Sequence, residues 1–509
     1  MKKRALVSVF DKVGILEFCR GLEKMDWEII STGGTFKYLK ENGVSAIDVS
    51  DVTKFPEMLD GRVKTLHPLI HGGILYKRDD EKHRDTVSEH GIGAIDMVVN
   101  NLYPFEAKLR EGAEHGDMVE NIDIGGPSMI RAAAKNYRDV LIVTDPSDYE
   151  AVLYELDKGN ISERFKMNLA RKAFSYTAFY DSLIANYFNG VMDVTYPEYL
   201  TTPYKLDSKL RYGENPHQSA SYYKNSFLSG KLNMRQLHGK EISYNNLIDI
   251  YGAIKAVKEF AEPAVVAVKH TNPCGIGSAE DIYEAYMNAY ESDMESIFGG
   301  IVAFNREVDA KSAAHMGTYF LEIVIAPAFS ETAMEILSRK KNIRLIEISN
   351  LNELELDKMD FKQVLGGMVY QEHDNMSEVE NNFEFTVMTK RQPTEEEVED
   401  LKFAWLCVKN IASNGVVLVK DGATVGIGQG EVRRSWAVEE AIARAEARID
   451  GAVLASDAFF FEDTVMQLHE SGVKAMLSPG GSIKDDEVIE LCNQYDMTLI
   501  FTGVRHFRH

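Results

Sequence analysis

A chain of 509 residues, 45% hydrophobic and 27% charged, has ordinary globular composition and the length of about three average domains, or two large ones. Its 56 Lys and Arg stand against 79 Asp and Glu, a formal charge of −23. That balance argues against a general nucleic-acid surface, so an anionic small substrate needs a local cluster of cations and backbone N–H groups. No stretch reaches the ~18 uninterrupted apolar residues of a membrane helix, and Met1–Val9 lacks the long apolar core and cleavage site of a signal peptide. A cytoplasmic protein is expected. Cys19, Cys274, Cys407 and Cys492 have no paired spacing, which fits a reducing compartment and gives neither a disulfide framework nor a zinc ribbon.

The N-terminal region reads as parallel α/β. Ala5–Val9 is a β-type run, Gly14–Lys24 has helical periodicity, and Trp27–Ile30 is strand-like again. Ser31-Thr-Gly-Gly-Thr35 then leads into a helix over Phe36–Asn42, so free N–H groups and hydroxyls gather at a helix N-terminus. This pattern suits a phosphate cradle, although a plain helix cap looks the same. Gly61–Gly73 adds Arg62, Lys64, His67 and His71 in one short segment of an acidic chain. Asp96–Phe105 is a strand ending in Asn101 and Tyr103, and Asn121–Ser128 opens a helix with Arg131 and Lys135. A Gly-Gly-Pro-Ser helix start is a second candidate oxyanion or phosphate site, while Arg131 and Lys135 taken alone are a solvated i,i+4 face.

Val63–Pro68, Asn101–Phe105, Asp123–Gly126 and Arg131–Asn136 resemble the inosinate cyclohydrolase part of the bifunctional AICAR formyltransferase/IMP cyclohydrolase family. The resemblance continues over essentially the whole chain. It implies an α/β protein with an N-terminal methylglyoxal-synthase-like domain with connecting helices, residues 1–196. A formyltransferase half of two cytidine-deaminase-like subdomains, residues 197–509, follows. The first domain is expected to close the purine ring of formyl-AICAR, giving IMP and water. By resemblance Ser8, Lys12, Thr32, Gly33, Gly34, Thr35, Arg62 and Thr65 surround the ribose phosphate, and Asn101, Ile124 and Gly125 lie near the base. Lys64, Tyr103, Asp123 and Lys135 match the residues assigned to chemistry. Phe10 departs from the family, which usually has a polar residue there. Asp145–Tyr196 is rich in helical periodicity, with Arg171 and Lys172 read as a solvated face, and Tyr196–Pro203 has the composition of a linker.

In the second half, Leu210–Gln218 presents a cation and an aromatic, Arg211 and Tyr212, on a Gly turn suited to a phosphate and a flat heterocycle. His238–Asp249 is the next family segment, with Asn246 carried over as a substrate contact. Ala264–Gly277 reads as a buried strand that ends at Lys269-His270 and breaks into a loop punctuated by Pro273 and glycines. Ser296–Phe304 and Leu321–Pro327 are further apolar strands, where Gly299 and Glu322 match AICAR contacts. The run Leu499–Phe501 suggests a final strand carrying Arg505 and Phe507 inward, and the resemblance gives both to AICAR.

The zinc-deaminase signature needs His-x-Glu and Pro-Cys-x-x-Cys. Here Pro273-Cys274 is followed by Gly277 in place of the second Cys and no His-x-Glu lies nearby, so no metal is expected and Cys274 is read as packing. A Cys nucleophile is disfavoured because direct formyl transfer needs no covalent intermediate. The resemblance implies 10-formyltetrahydrofolate as co-substrate. His270 suits removal of the AICAR amine proton, Lys269 the oxyanion or the leaving-group proton, Asn414 the formyl oxygen, and Phe461 and Asp463 the folate. The segment Asp457–Asp463 is one residue shorter than the family pattern, and Gln429 and Glu431 replace usual residues, so a weakened folate site is an alternative. A nonenzymatic nucleotide-binding protein is another. Expected partners are small nucleotides, reduced folate and a second copy in a homodimer, with neither nucleic acid nor membrane.

Overall fold

Arg4–Val9 (β1), Glu28–Ser31 (β2), Ala46–Asp48 (β3), Met97–Asn101 (β4) and Leu141–Val143 (β5) form a parallel sheet in the order β3-β2-β1-β4-β5. β4 reads Met-Val-Val-Asn-Asn and is buried up to its last residue, as expected of a parallel strand covered on both faces. The strand order reverses direction between β1 and β4, the crevice where open α/β sheets hold ligands. In the computed structural model, which describes residues 2–59, 61–227, 232–374 and 385–509, this sheet belongs to the first of two compact units. The first comprises Met1–Lys205 and Lys224–Phe227, and the second Leu206–Tyr223 and Leu228–His509.

Helix Glu163–Val191 packs along the first unit and buries Leu169, Ala170, Ala173, Tyr180 and Leu183. Lys172 departs from the solvated face expected of it. Its Nζ lies 2.8 Å from Asp145 Oδ2 and 2.6 Å from Asp148 Oδ2, because the helix brings it over the turn preceding Tyr149–Asp157.

The chain continues through the hairpin Tyr204–Leu210 (β6) and Ala220–Asn225 (β7). The second unit is built on a twelve-stranded sheet made of two like halves. One half contains Met234–His238 (β8), Ala264–Lys269 (β9), Asn272–Ser278 (β10), Ile301–Phe304 (β11), Ile323–Ala326 (β12) and Arg344–Ile348 (β13). A separate hairpin pairs Met359–Val364 (β14) with Gly367–Glu372 (β15). The other half contains Thr386–Val387 (β16), Val416–Lys420 (β17), Ala423–Gly428 (β18), Val453–Ser456 (β19), Ala475–Ser478 (β20) and Thr498–Phe501 (β21).

The halves run β8-β13-β12-β11-β9-β10 and β16-β21-β20-β19-β17-β18. Each has an antiparallel hairpin (β9–β10, β17–β18), an antiparallel neighbour (β11, β19), two further parallel strands and an antiparallel end strand. They meet where β10 pairs with β18 at Gly277 and Ala423. A 14-residue helix with a capping box precedes each hairpin, Tyr244–Val257 with Ser243 and Asn246, and Glu395–Val408 with Thr394 and Glu397. The helices after the hairpins, Ile282–Ser292 and Arg434–Ala445, lie directly on glycines. A Cβ on Gly275 or Gly277 would strike the Ala289 or Ala285 carbonyl, and one on Gly426 or Gly428 the Ala441 or Ala437 carbonyl.

Two further sequence expectations are corrected in the second unit. Asn272–Ser278 is a strand rather than a loop; Pro273 is tolerated because the register shifts between Pro273 and Gly275, and a bulge spares the missing N–H. The C-terminal segment is extended, but Arg505 and Phe507 face outward, stacked with the guanidinium 4.2 Å from the ring centroid. His506 is the residue buried, at 1% exposure, with Arg508 half-buried beside it. Alternation along an extended chain puts one parity inside, and here it is the even one.

Candidate active sites

The β1/β4 crevice opens into a cavity of about 710 Å³ lined by Ser8, Lys12, Thr32, Gly34, Thr35, Arg62, Lys64, Thr65, Asn101, Tyr103, Asp123, Ile124 and Gly125. Gly33, with a φ of 42°, opens the helix Gly33–Glu41 behind Thr32. Ser8 Oγ and Thr32 Oγ1 are 2.8 Å apart, and Thr35 Oγ1 donates to the Val9 carbonyl at 2.8 Å. Lys12 donates to the Val9 and Phe10 carbonyls at 2.7 and 3.0 Å. Burial pushes its pKa below the usual lysine value, and an anion would offset that desolvation. Arg62 forms an ion pair with Glu120 at the rim.

The Asp123 carboxylate accepts the Gly126 N–H at 2.7 Å. Burial raises its pKa above the usual range, against the opposing pull of the Gly126 and Tyr103 N–H groups and Lys64. Burial, with Asp123 and Glu57 adding to it, also raises Tyr103, which keeps the phenol protonated and able to donate. Lys64 Nζ lies 3.8 Å from Glu57. A base, a cation and a neutral donor thus face one cavity.

Lys135 does not line it. The helix Gly125–Lys135 has 11 residues, so at 1.5 Å per residue its end is about 15 Å from its start. Lys135 lies instead on a groove with His67, His71, Arg131 and Phe174. His67 Nδ1 accepts the Leu69 N–H, and burial lowers the pKa of His71.

One residue of the cavity, Asn100, escaped the sequence reading, and Phe10, which departs from the family pattern, lines the cavity as well. Asn100 is 3% exposed, donates to the Ser8 carbonyl at 2.7 Å, and leaves Oδ1 buried without a partner. An Asn inside an apolar parallel strand was the available signal. Phe10, 51% exposed, forms one wall, its ring centroid 6.0 Å from that of Tyr103. Asn101 fixes the Phe10 loop, with Oδ1 accepting the Phe10 and Asp11 N–H groups at 2.6 and 3.0 Å.

In the second unit, Lys269 and His270 border a small polar cavity of about 190 Å³ with Cys274, Asp293, Gln429 and Arg444. Lys269 Nζ donates to the Phe298 carbonyl at 3.0 Å, the Gly299 N–H to the Phe320 carbonyl at 2.8 Å, and the Glu322 N–H to the Gly300 carbonyl at 3.0 Å. These bonds link Lys269, Gly299 and Glu322 in space. Glu322 Oε2 lies 2.7 Å from Arg344. Burial pushes the Cys274 thiol up to about 12, and its Sγ donates to the Ala267 carbonyl, so the thiolate a nucleophile needs is absent at neutral pH.

The Asn414 carboxamide is engaged on both sides: Nδ2 donates to the Glu431 carbonyl at 2.8 Å and Oδ1 accepts from Arg434 at 2.9 Å. Arg434 in turn forms a buried ion pair with Asp457. The C-terminal tail ties this group to the His270 turn. The Ser413 N–H donates to the Arg508 carbonyl at 3.0 Å, the Arg508 N–H donates to Ser413 Oγ at 3.1 Å, and the Arg508 guanidinium reaches the Thr271 carbonyl at 3.3 Å. Asn246 spends Oδ1 on the Ser243 N–H. Arg211 stands 4.7 Å from the Tyr212 ring, and Asp463 lies 3.7 Å from Arg433 beside the half-exposed Phe461. Among the described residues, no hydrogen bond or ion pair joins Asn246, Arg211, Tyr212, Phe461 or Asp463 to the Lys269–His270 group.

Residues 14–128 match the MGS-like domain family and residues 133–444 match the AICARFT/IMPCHase bienzyme family. The chain is 52% identical over its full length, and that of the relative, to the bifunctional purine biosynthesis protein PurH of Caldicellulosiruptor saccharolyticus. It is 53% identical, again with full coverage of both chains, to the PurH of a Thermoanaerobacter species, and 50% identical to that of Oceanobacillus iheyensis. With two α/β units arranged as described and relatives matched end to end, the chain belongs to the AICARFT/IMPCHase bienzyme family, the AICAR formyltransferase/IMP cyclohydrolases that complete purine-ring synthesis.

Proposed function

We propose that the formyl donor is 10-formyltetrahydrofolate, that residues 197–509 transfer its formyl group to AICAR, and that residues 1–196 close the ring. The observation that carries the second assignment is the meeting of Asp123, Lys64 and Tyr103 with a cradle of hydroxyls and N–H groups at the β1/β4 crevice.

In formyl transfer the AICAR amine forms a bond to the formyl carbon, the carbon–N10 bond of the folate breaks, and N10 takes up a proton. His270 accepts the amine proton, and Lys269 stabilises the oxyanion or supplies the proton to N10. In ring closure the carboxamide nitrogen attacks the formyl carbon and loses a proton to Asp123. The formyl oxygen, polarised by Lys64 and oriented by Tyr103, takes up that proton and the one given up by the formamide nitrogen, and leaves as water as the C=N bond to that nitrogen forms.

Lys135 fits a catalytic role only from a second copy, since its own cavity is out of reach, and this supports a homodimer. The absence of a long apolar helix among the described residues is in keeping with a cytoplasmic site of action. Incubation with AICAR and 10-formyltetrahydrofolate, following tetrahydrofolate and IMP together, tests the whole reading. Cyclisation of purified formyl-AICAR without formyl transfer would refute the transferase assignment, and ligand binding without either turnover would refute both.

A further inference from the structure

The two halves of the twelve-stranded sheet carry the same hairpin with different turns. In the second half Lys420 pairs with Ala423 across Asp421-Gly422, with φ of 53° and 69°. Asp-Gly is the sequence that a two-residue turn with both φ positive favours. In the first half Lys269 pairs with Asn272 across His270-Thr271, with φ of 54° and 67°. Neither residue suits that conformation as glycine does, and a β-branched Thr there is an outlier that persists only when its surroundings impose it.

The imposing group is duplicated too. At the sixth position of each 14-residue helix stands an aspartate, Asp249 in Tyr244–Val257 and Asp400 in Glu395–Val408. Asp400 accepts the Asp421 and Gly422 N–H groups, both at 2.9 Å. Asp249 Oδ1 accepts the Thr271 N–H at 2.7 Å. The first half adds the Arg508 contact to the Thr271 carbonyl. Gly252, one turn along from Asp249, lets that carbonyl approach to 3.3 Å from where a Cβ would sit. In the second half the clamp holds a turn that already prefers its shape; in the first it holds one that does not.

We propose that Asp249 is a positioning residue for formyl transfer, holding the left-handed His270-Thr271 turn so that the imidazole stays beside Lys269 at the mouth of the small polar cavity. This rests on the reading of His270 as the base. Released from the clamp, Thr271 returns to negative φ, the two-residue turn opens, and His270 leaves its place. Asp249 touches no reacting atom and acts through the backbone.

The test uses the full chain with AICAR and 10-formyltetrahydrofolate, and cyclisation of purified formyl-AICAR by the same sample as a control. D249A is expected to lose about tenfold or more in formyl-transfer kcat, with the KM for AICAR changed less than about threefold. D249N, which keeps an acceptor oxygen, stays within about threefold of wild type. Adding Thr271→Gly to D249A recovers most of the lost kcat, because glycine adopts positive φ without strain. If D249A does not fold, the isosteric D249L takes its place under the same expectations. Formyl transfer by D249A within about twofold of wild type, or a folded D249A that Thr271→Gly does not improve, overturns the inference. H270A separates the two readings. An inactive H270A beside an active D249A removes only the clamp, whereas an active H270A removes the base assignment itself.

Discussion

The Asp123 side chain accepts the Gly126 N–H at 2.7 Å, closing the first turn of the helix that begins at Gly125. Burial holds this carboxyl above its usual pKa. A carboxyl whose folded pKa exceeds its unfolded one adds stability that is complete below the unfolded pKa and lost as pH rises through the folded value. At neutral pH the ionised Asp123 is therefore a strain on the fold. Asp123→Asn keeps an acceptor for Gly126 and should raise the Tm at pH 7 while abolishing ring closure. In the wild type, the acid limb of the cyclisation pH profile should lie above the ordinary Asp value of ~3.9.

Lys135 stands at the far end of the same 11-residue helix, about 15 Å from the Gly125 end. If it serves the cavity of a second copy, K64A and K135A are each inactive in ring closure, yet mixing and reassociating them restores activity. Only mixed dimers carry one intact site, so recovery approaches about a quarter of the wild-type rate. No recovery, with mixed dimers verified by mass spectrometry, removes Lys135 from the chemistry.

Phe10 presents an aromatic face to the cavity, edge-on to Tyr103. Phe10→Ser should raise the KM for formyl-AICAR about three- to tenfold and leave kcat nearly unchanged, the signature of uniform binding. Steady-state kinetics at saturating and limiting substrate separate the two.

Lys409 and Glu259 form an ion pair at 3.1 Å, with side chains 1% and 8% exposed. Removing one partner leaves the other charge buried, so K409M should cost about 3–5 kcal/mol. Urea unfolding followed by tryptophan fluorescence, to which Trp405 and Trp436 of the same unit contribute, reads this.

Cys274, with a thiol near 12, should resist iodoacetamide at pH 8 in the folded protein, and C274A should retain formyl transfer. Rapid alkylation accompanied by loss of activity would restore the nucleophile.

The first unit was legible in the sequence because its signals are local. β1, β2 and β4 end at residues that line the cavity, and the Gly-Gly turns sit where helices start, so Thr32 and Lys64 stood out in runs of a few residues, while Ser8 and Asp123 came from the family resemblance. What escaped depends on distance in space. The position of Lys135 is one such feature, because a motif does not show that a helix carries its end about 15 Å from its start. Arg505 and Phe507 looked inward because the parity of an extended tail is set by Trp405 packing against His506, far along the chain. Pro273 hid β10, since a bulge that accommodates proline leaves no trace in composition. Asp249 closes the His238–Asp249 segment, but its role emerges only beside Asp400 in the other half of the sheet.

The Gly-Ile-Gly strands on which the two helices rest have a consequence for how such a chain can diverge. Gly275, Gly277, Gly426 and Gly428 touch helix carbonyls in both halves, so no side chain can be added there and the two copies are frozen alike. Novelty is pushed to the hairpin tips, which face no backbone as close. There one half carries Asp-Gly, which adopts the turn unaided, and the other His-Thr, which holds the same shape only where its surroundings impose it.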